Sequence, residues 1–131
     1  MIVAVVGNHH PRCRETVFEV LSKIHRKTPI QEVVYGSENG TERYAKEFAQ
    51  ERGIRLTYMP PCFRLHGGRA RAYQVASVCC YLAESSILQK QAISFYHPRE
   101  HQSWERMCDF YGVAFTPIDK PLTFPDLRRK T

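Results

Sequence analysis

Met1-Ile2-Val3-Ala4-Val5-Val6-Gly7 and Val33-Val34-Tyr35-Gly36-Ser37-Glu38-Asn39-Gly40-Thr41 decide the fold of this chain. Each is an apolar, β-branched run that meets a glycine and passes into a stretch of helical periodicity. A continuous apolar run without alternation is the pattern of a strand covered on both faces. Two glycine-punctuated strand-to-helix turns set loops and helix N-termini along one edge of a parallel sheet. Exposed backbone N–H groups and positive helix ends make that edge favourable to anions.

Outward from these two turns, the remaining elements alternate in type. Thr16 to His25 carries Val17, Val20, Leu21 and Ile24 on one helical stripe. Thr41 to Arg52 predicts a helix with Tyr44, Ala45, Phe48 and Ala49 on one face, and Gly53 as its stop. Glu32 to Tyr35 and Arg55 to Met59 read as strands, the latter ended by Pro60-Pro61. Cys62 to Gly68 reads as a loop and Arg71 to Glu84 as an apolar helix. Gln91 to Tyr96 predicts a fourth strand, closed by His97-Pro98. Ser103 is placed to cap a helix bearing Trp104, Met107, Cys108 and Tyr111, with Gly112 as its stop. Val113 to Pro117 predicts a fifth strand. The expected architecture is a three-layer, Rossmann-like α/β domain over residues 1–118, with a mostly parallel five-stranded sheet. Residues 119–131 form an extended C-terminal tail. Periodicity does not give the order of the strands.

The chain has 131 residues, enough for one domain with a core of its own. No run approaches the roughly 18–20 apolar residues of a membrane span. The apolar start lacks a basic n-region and a cleavage site, so it reads as a core strand. Five cysteines (Cys13, Cys62, Cys79, Cys80 and Cys108) are odd in number and show no CxxC spacing. That pattern predicts free thiols in a reducing, cytoplasmic setting, with Cys79 and Cys80 serving as core. A formal charge of +6 favours anionic partners. Because no recognised nucleic-acid motif accompanies the charge, nucleic acid is not the expected partner.

The succession Val5-Val6-Gly7, a helix, Val33 to Ala45, then Phe48-Ala49-Gln50-Glu51-Arg52-Gly53-Ile54 resembles the YspA-like, YpsA-related branch of the SLOG superfamily. The likeness is best over residues 2–60 and continues to about residue 118. It implies a Rossmann-like fold, a nucleotide-derived ligand and a homodimer formed through helices. Gly36, Gly40 and Glu42 match the glycines and the acid of the branch's second turn, with Ser37 and Thr41 as small replacements. Gly68 and Arg71 match its later glycine and arginine. The first strand ends Gly7-Asn8-His9 where the branch has Gly-Gly-Arg. His97-Pro98-Arg99-Glu100-His101 stands where the branch has a Gly-Gly-x-Gly-Thr phosphate loop. Pro98 removes a backbone donor, and the missing glycines obstruct close approach of a phosphate.

The expected ligand site therefore comprises Gly7, Asn8, His9, Gly36, Ser37, Gly40, Thr41, Arg69 and Arg71. The turns would supply N–H groups, Asn8 and His9 hydrogen bonds to a base or ribose, and the arginines a planar fork for an anion. Cations at a helix start oppose its dipole, so Arg69 and Arg71 call for an anionic neighbour. Arg99, Glu100, His101 and Glu105 are read as a solvated loop, and Trp104 and Tyr111 as core. His9, His10, Cys13, His97 and His101 lack convincing metal-ligand spacing. A nucleotide hydrolase or transferase would use His9 or Glu105 as general acid/base, but neither has a paired group. The reading is thus non-enzymatic binding of a nucleotide-like molecule, with no cofactor beyond a bound nucleotide. Its rival is a protein-interaction module or inhibitor, for example phage-encoded and acting on a host complex, whose fold has lost its phosphate loop.

Overall fold

A computed structural model describes residues 1–7, 14–96 and 101–118. The strands are β1 (Ile2–Val6), β2 (Glu32–Tyr35), β3 (Arg55–Tyr58), β4 (Lys90–Ser94) and β5 (Ala114–Pro117). The helices are α1 (Arg14–Lys27), α2 (Gly40–Glu51), α3 (Phe63–His66), α4 (Ala70–Glu84) and α5 (Gln102–Tyr111). All strand pairs are parallel, in the order β3-β2-β1-β4-β5. The chain winds outward from β1 in one direction through β2 and β3, then returns beside β1 to lay down β4 and β5. The winding therefore reverses between β1 and β4, the place where open α/β sheets form a crevice at their strand C-termini.

β1 is buried along its whole length because it divides its side chains between two cores. Ile2, Ala4 and Val6 face α4 and α5, where Val75, Val78, Cys79, Leu82, Trp104 and Cys108 close one layer. Val3 and Val5 face α1 and α2, where Val17, Leu21, Ala45 and Phe48 close the other. This period-2 division is what an unbroken apolar run requires in a sheet covered on both sides. Trp104 is core and Tyr111 packs partly buried against it, as expected from their helical spacing. Val75, Val78, Cys79 and Leu82 are all buried within the single chain.

Three features differ from the sequence reading, the first being that Ser103 does not cap α5: it lies inside the helix, whose N-cap position is His101. Residues 62–68 are not a plain loop: Phe63–His66 is a short helix, followed by a 3-10 turn at Gly67–Arg69 that leads into α4. His101 is not a solvated loop residue but is buried, with Nδ1 2.8 Å from Ser94 Oγ and its ring edge-on to Phe115. A histidine flanked by Arg99, Glu100 and Glu105 gives no hint in sequence that it turns inward. Cys79 and Cys108 meet inside the α4–α5 core at 3.8 Å, and that contact together with burial pushes the Cys79 thiol up. Among the described residues, no helix is long and apolar enough to cross a membrane. The expected tail at residues 119–131 lies outside the described residues.

Phe48, fully buried, meets Phe18 edge-on at 5.5 Å and lies under the Arg52 guanidinium at 4.0 Å. Phe48→Ala is expected to cost about 3–5 kcal/mol through lost burial and a residual cavity, as read from denaturant midpoints at unchanged slope.

Candidate functional site

At the C-terminal edge of the sheet, the two glycine turns are joined by one side chain. Glu42, in the first turn of α2, is only 6% exposed. Its carboxylate accepts the Gly36 N–H at 2.6 Å and the Gly7 N–H at 3.3 Å. The donors that the turns would offer to a bound anion are thus held by the protein's own anion. Neither glycine leaves room for a side chain. A Cβ on Gly7 would lie 2.9 Å from Thr41 Cβ, and one on Gly36 would lie 2.8 Å from the Met59 carbonyl and strike Gln74 Nε2. Gln74, from α4, donates to that same carbonyl at 3.1 Å. Close packing is what these glycines serve here.

The rest of the second turn is also internally bonded. Ser37 Oγ accepts the Asn39 N–H at 3.1 Å. Glu38 accepts the Tyr35 hydroxyl at 3.2 Å and pairs with Lys46 at 2.7 Å. Gly40 opens α2 at φ 61°. Thr41 is fully buried against Gly7, and its Oγ1 has no hydrogen-bond partner among the described residues. Asn8, His9, His10 and Cys13 follow β1, and His97, Arg99 and Glu100 follow β4; all lie outside the described residues.

Arg71 lies exposed in the first turn of α4. Its positive charge acts on the Glu42 carboxylate, and its guanidinium stands 5.6 Å over the Phe63 ring. The anionic neighbour that this cation at a helix start called for therefore includes a group of the same chain. Arg69, exposed, precedes α4 at the end of the 3-10 turn.

Beside Arg71 a cleft of about 470 Å³ opens between the N-terminal halves of α4 and α5, next to the end of β4. Arg71, Gln74, Tyr96, Ser103, Trp104 and Arg106 line it. Two guanidinium groups, a hydroxyl, an amide and two aromatic rings converge there, a donor-rich lining with apolar walls. Arg106 and Tyr96 were not picked out by the sequence reading. Arg106 follows Trp104 by two positions, and only the seating of α5 against α4 brings it opposite Arg71. Glu105 is exposed on α5 away from this lining. No group of three or more His, Cys, Asp or Glu suited to a metal occurs among the described residues.

Burial pushes the Glu42 carboxyl up to about 7, against the opposing pull of the Gly36 and Gly7 N–H bonds and of Arg71. Desolvation outweighs the backbone N–H groups of Gly36, Gly7 and Ser37 and a nearby cation because the group is almost sealed from water. The folded protein holds this proton more tightly than the unfolded chain, whose glutamate titrates near 4.5. Its contribution to stability is complete below that value and is lost as pH rises through about 7, amounting at most to on the order of 3 kcal/mol. Unfolding measured from pH 4.5 to 8 is expected to show this decline, and Glu42→Gln is expected to flatten it. A decline of equal size in the variant would assign the dependence to other groups.

The model of the YspA, cpYpsA-related SLOG family matches residues 1–66, from β1 through α3 and so across both glycine turns. No curated protein and no solved structure matches the chain. With half of its length matched, an all-parallel Rossmann-like sheet and the Gly7–Gly36–Glu42 junction inside the matched stretch, the chain belongs to the YspA, cpYpsA-related SLOG family.

Proposed function

We propose that this SLOG domain binds a nucleotide-derived ligand at the C-terminal edge of its sheet and works no covalent change on it. The observation that carries the reading is the α4–α5 cleft, with Arg71 and Arg106 on its walls and Tyr96 at the end of β4. Guanidinium groups take phosphate oxygens through paired N–H donors, and an aromatic ring offers a face for a base. The winding reversal between β1 and β4 supports the same location on general grounds.

In this reading Gly7, Gly36, Gly40 and Thr41 shape the floor beside the cleft through close packing rather than by direct donation. Ser37 and Arg69 are not part of the cleft's lining, and Asn8 and His9 lie outside the described residues. Because Glu42 holds the Gly7 and Gly36 donors, the ligand's anion is met by arginine side chains. Glu42 also keeps a negative charge beside Arg71, which limits that cation's hold on a ligand above pH 7 and releases it when the carboxyl is protonated. The thiols at Cys62, Cys79, Cys80 and Cys108 are unpaired with one another as disulfides, in keeping with a reducing, cytoplasmic setting.

Trp104 is the single tryptophan of the chain and lines the cleft, so its emission reports occupancy. Titration with a panel of nucleoside mono-, di- and triphosphates is expected to give at least one dissociation constant below about 1 mM. Arg106→Ala is expected to weaken that binding about tenfold or more while leaving the melting temperature in place. The ligand is expected to be recovered intact after prolonged incubation. Absence of any response above millimolar affinity, or indifference to Arg106→Ala, would sink the reading.

A further inference from the structure

Between Glu51 and Glu84 the sequence contains five arginines and a histidine but no aspartate, glutamate or lysine. The middle of this stretch runs from the end of β3 through α3 to the first turns of α4, where Phe63 meets Arg71 and His66 stacks on Tyr73. Phe63 is 54% exposed and Leu65 74%, with Tyr58 and Tyr73 also open to solvent. Arg64 and Arg69 project from the same segment, both exposed, and Arg71 stands over Phe63. A shallow recess of about 250 Å³ among Met59, Pro60, Cys62, His66 and Tyr73 indents the face. Exposed aromatic and leucine side chains grouped with arginine, and with lysine and acids excluded, is the composition of a protein-interface core. Scattered single apolar residues would need no such account.

Charge and ring geometry narrow the occupant. A second copy docked symmetrically through this face would bring two arginine-bearing, acid-free faces together, which is repulsive. A nucleic acid strand would need open ring faces. Yet one face of each ring is already taken: His66 and Tyr73 are stacked on each other at 4.1 Å, Phe63 has Arg71 over its ring, and Tyr58 packs against Tyr35 at 4.9 Å. Leu65, the most exposed of the group, has no ring to offer a base. Among the described residues no carboxylate forms an ion pair with Arg64 or Arg69: Glu38 is paired with Lys46, and Glu42 is buried and acts on Arg71.

We propose that the face spanning Tyr58 to Tyr73 docks a protein partner through an acidic segment bearing apolar side chains. The carboxylates of that segment meet Arg64 and Arg69, and its apolar residues cover Phe63 and Leu65. The surface adjoins the ligand cleft at Arg71 but does not depend on nucleotide binding there.

The test uses the full chain and the double variant Arg64→Glu/Leu65→Ser, both positions being exposed and outside the ligand cleft. The probe is a fluorescein-labelled peptide of Asp, Glu, Leu and Phe. Comparators are the same peptide with lysine in place of its acids, and a labelled oligothymidylate. Anisotropy is expected to show the acidic peptide binding, weakening as salt rises toward about 0.3 M, and falling at least about tenfold in affinity in the double variant. The Trp104 response to nucleoside phosphates is expected to be unchanged in that variant, so failure here and failure of the ligand reading are separately visible. Several results would overturn the proposal: equal binding of the lysine peptide, preference for the oligothymidylate, or no binding of any probe. So would indifference to the double variant, or self-association that the variant abolishes.

Discussion

Everything at the C-terminal edge of this domain depends on the Glu42 carboxylate. One side chain from α2 accepts N–H groups from the ends of both β1 and β2, and it does so only because Gly7 and Gly36 carry no Cβ. Unsatisfied, those two buried donors would cost about 1–3 kcal/mol each. Satisfied from within, they fix where α2 starts, where Thr41 packs and where Gln74 of α4 reaches across to Met59. The junction also explains Arg71. A cation at the start of α4 opposes the helix dipole, but it lies close enough to Glu42 to favour the charged carboxylate. Burial still wins, which leaves a proton near neutrality at the centre of the edge.

This arrangement alters how a turn rich in glycine is to be understood. Such turns commonly read as anion cradles, since their N–H groups point outward from a sheet edge. Here the same geometry closes on an internal carboxylate, and in the proposed reading an external anion is met instead by the guanidinium groups of α4 and α5. Arg71 stands at the boundary of two surfaces. On one side is the cleft shared with Arg106 and Tyr96; on the other is the aromatic and leucine face around Phe63. A ligand that draws Arg71 toward the cleft would take it away from the Phe63 ring, so the two surfaces meet at a single side chain.

Most of the architecture was legible in the sequence because burial leaves a periodic trace. The unbroken Ile2–Val6 run and the stripes on α1, α2 and α5 follow directly from what must be covered, and Gly53 and Gly112 stop their helices where expected. Strand order left no such trace, since each strand is apolar whichever neighbour it takes. The α3 turn was missed because four residues carry too little periodicity to separate a short helix from a loop, and two prolines before it suggest irregular chain. At the candidate site, Gly36 and Gly40 drew notice as turn glycines and Arg71 as a family-motif position at a helix start. Glu42 was noticed only as a motif position, because a glutamate in a helix's first turn ordinarily faces water and favours the dipole. Its burial is a tertiary fact. Arg106 was missed for the same reason, since only the packing of α5 on α4 sets it across from Arg71.

Native mass spectrometry of freshly purified protein, before any stripping step, tests the central claim most directly. The account predicts an added mass of a few hundred daltons, ultraviolet absorbance of a nucleobase in the released material, and loss of both in Arg106→Ala. A clean unliganded mass that no added nucleoside phosphate shifts would contradict it.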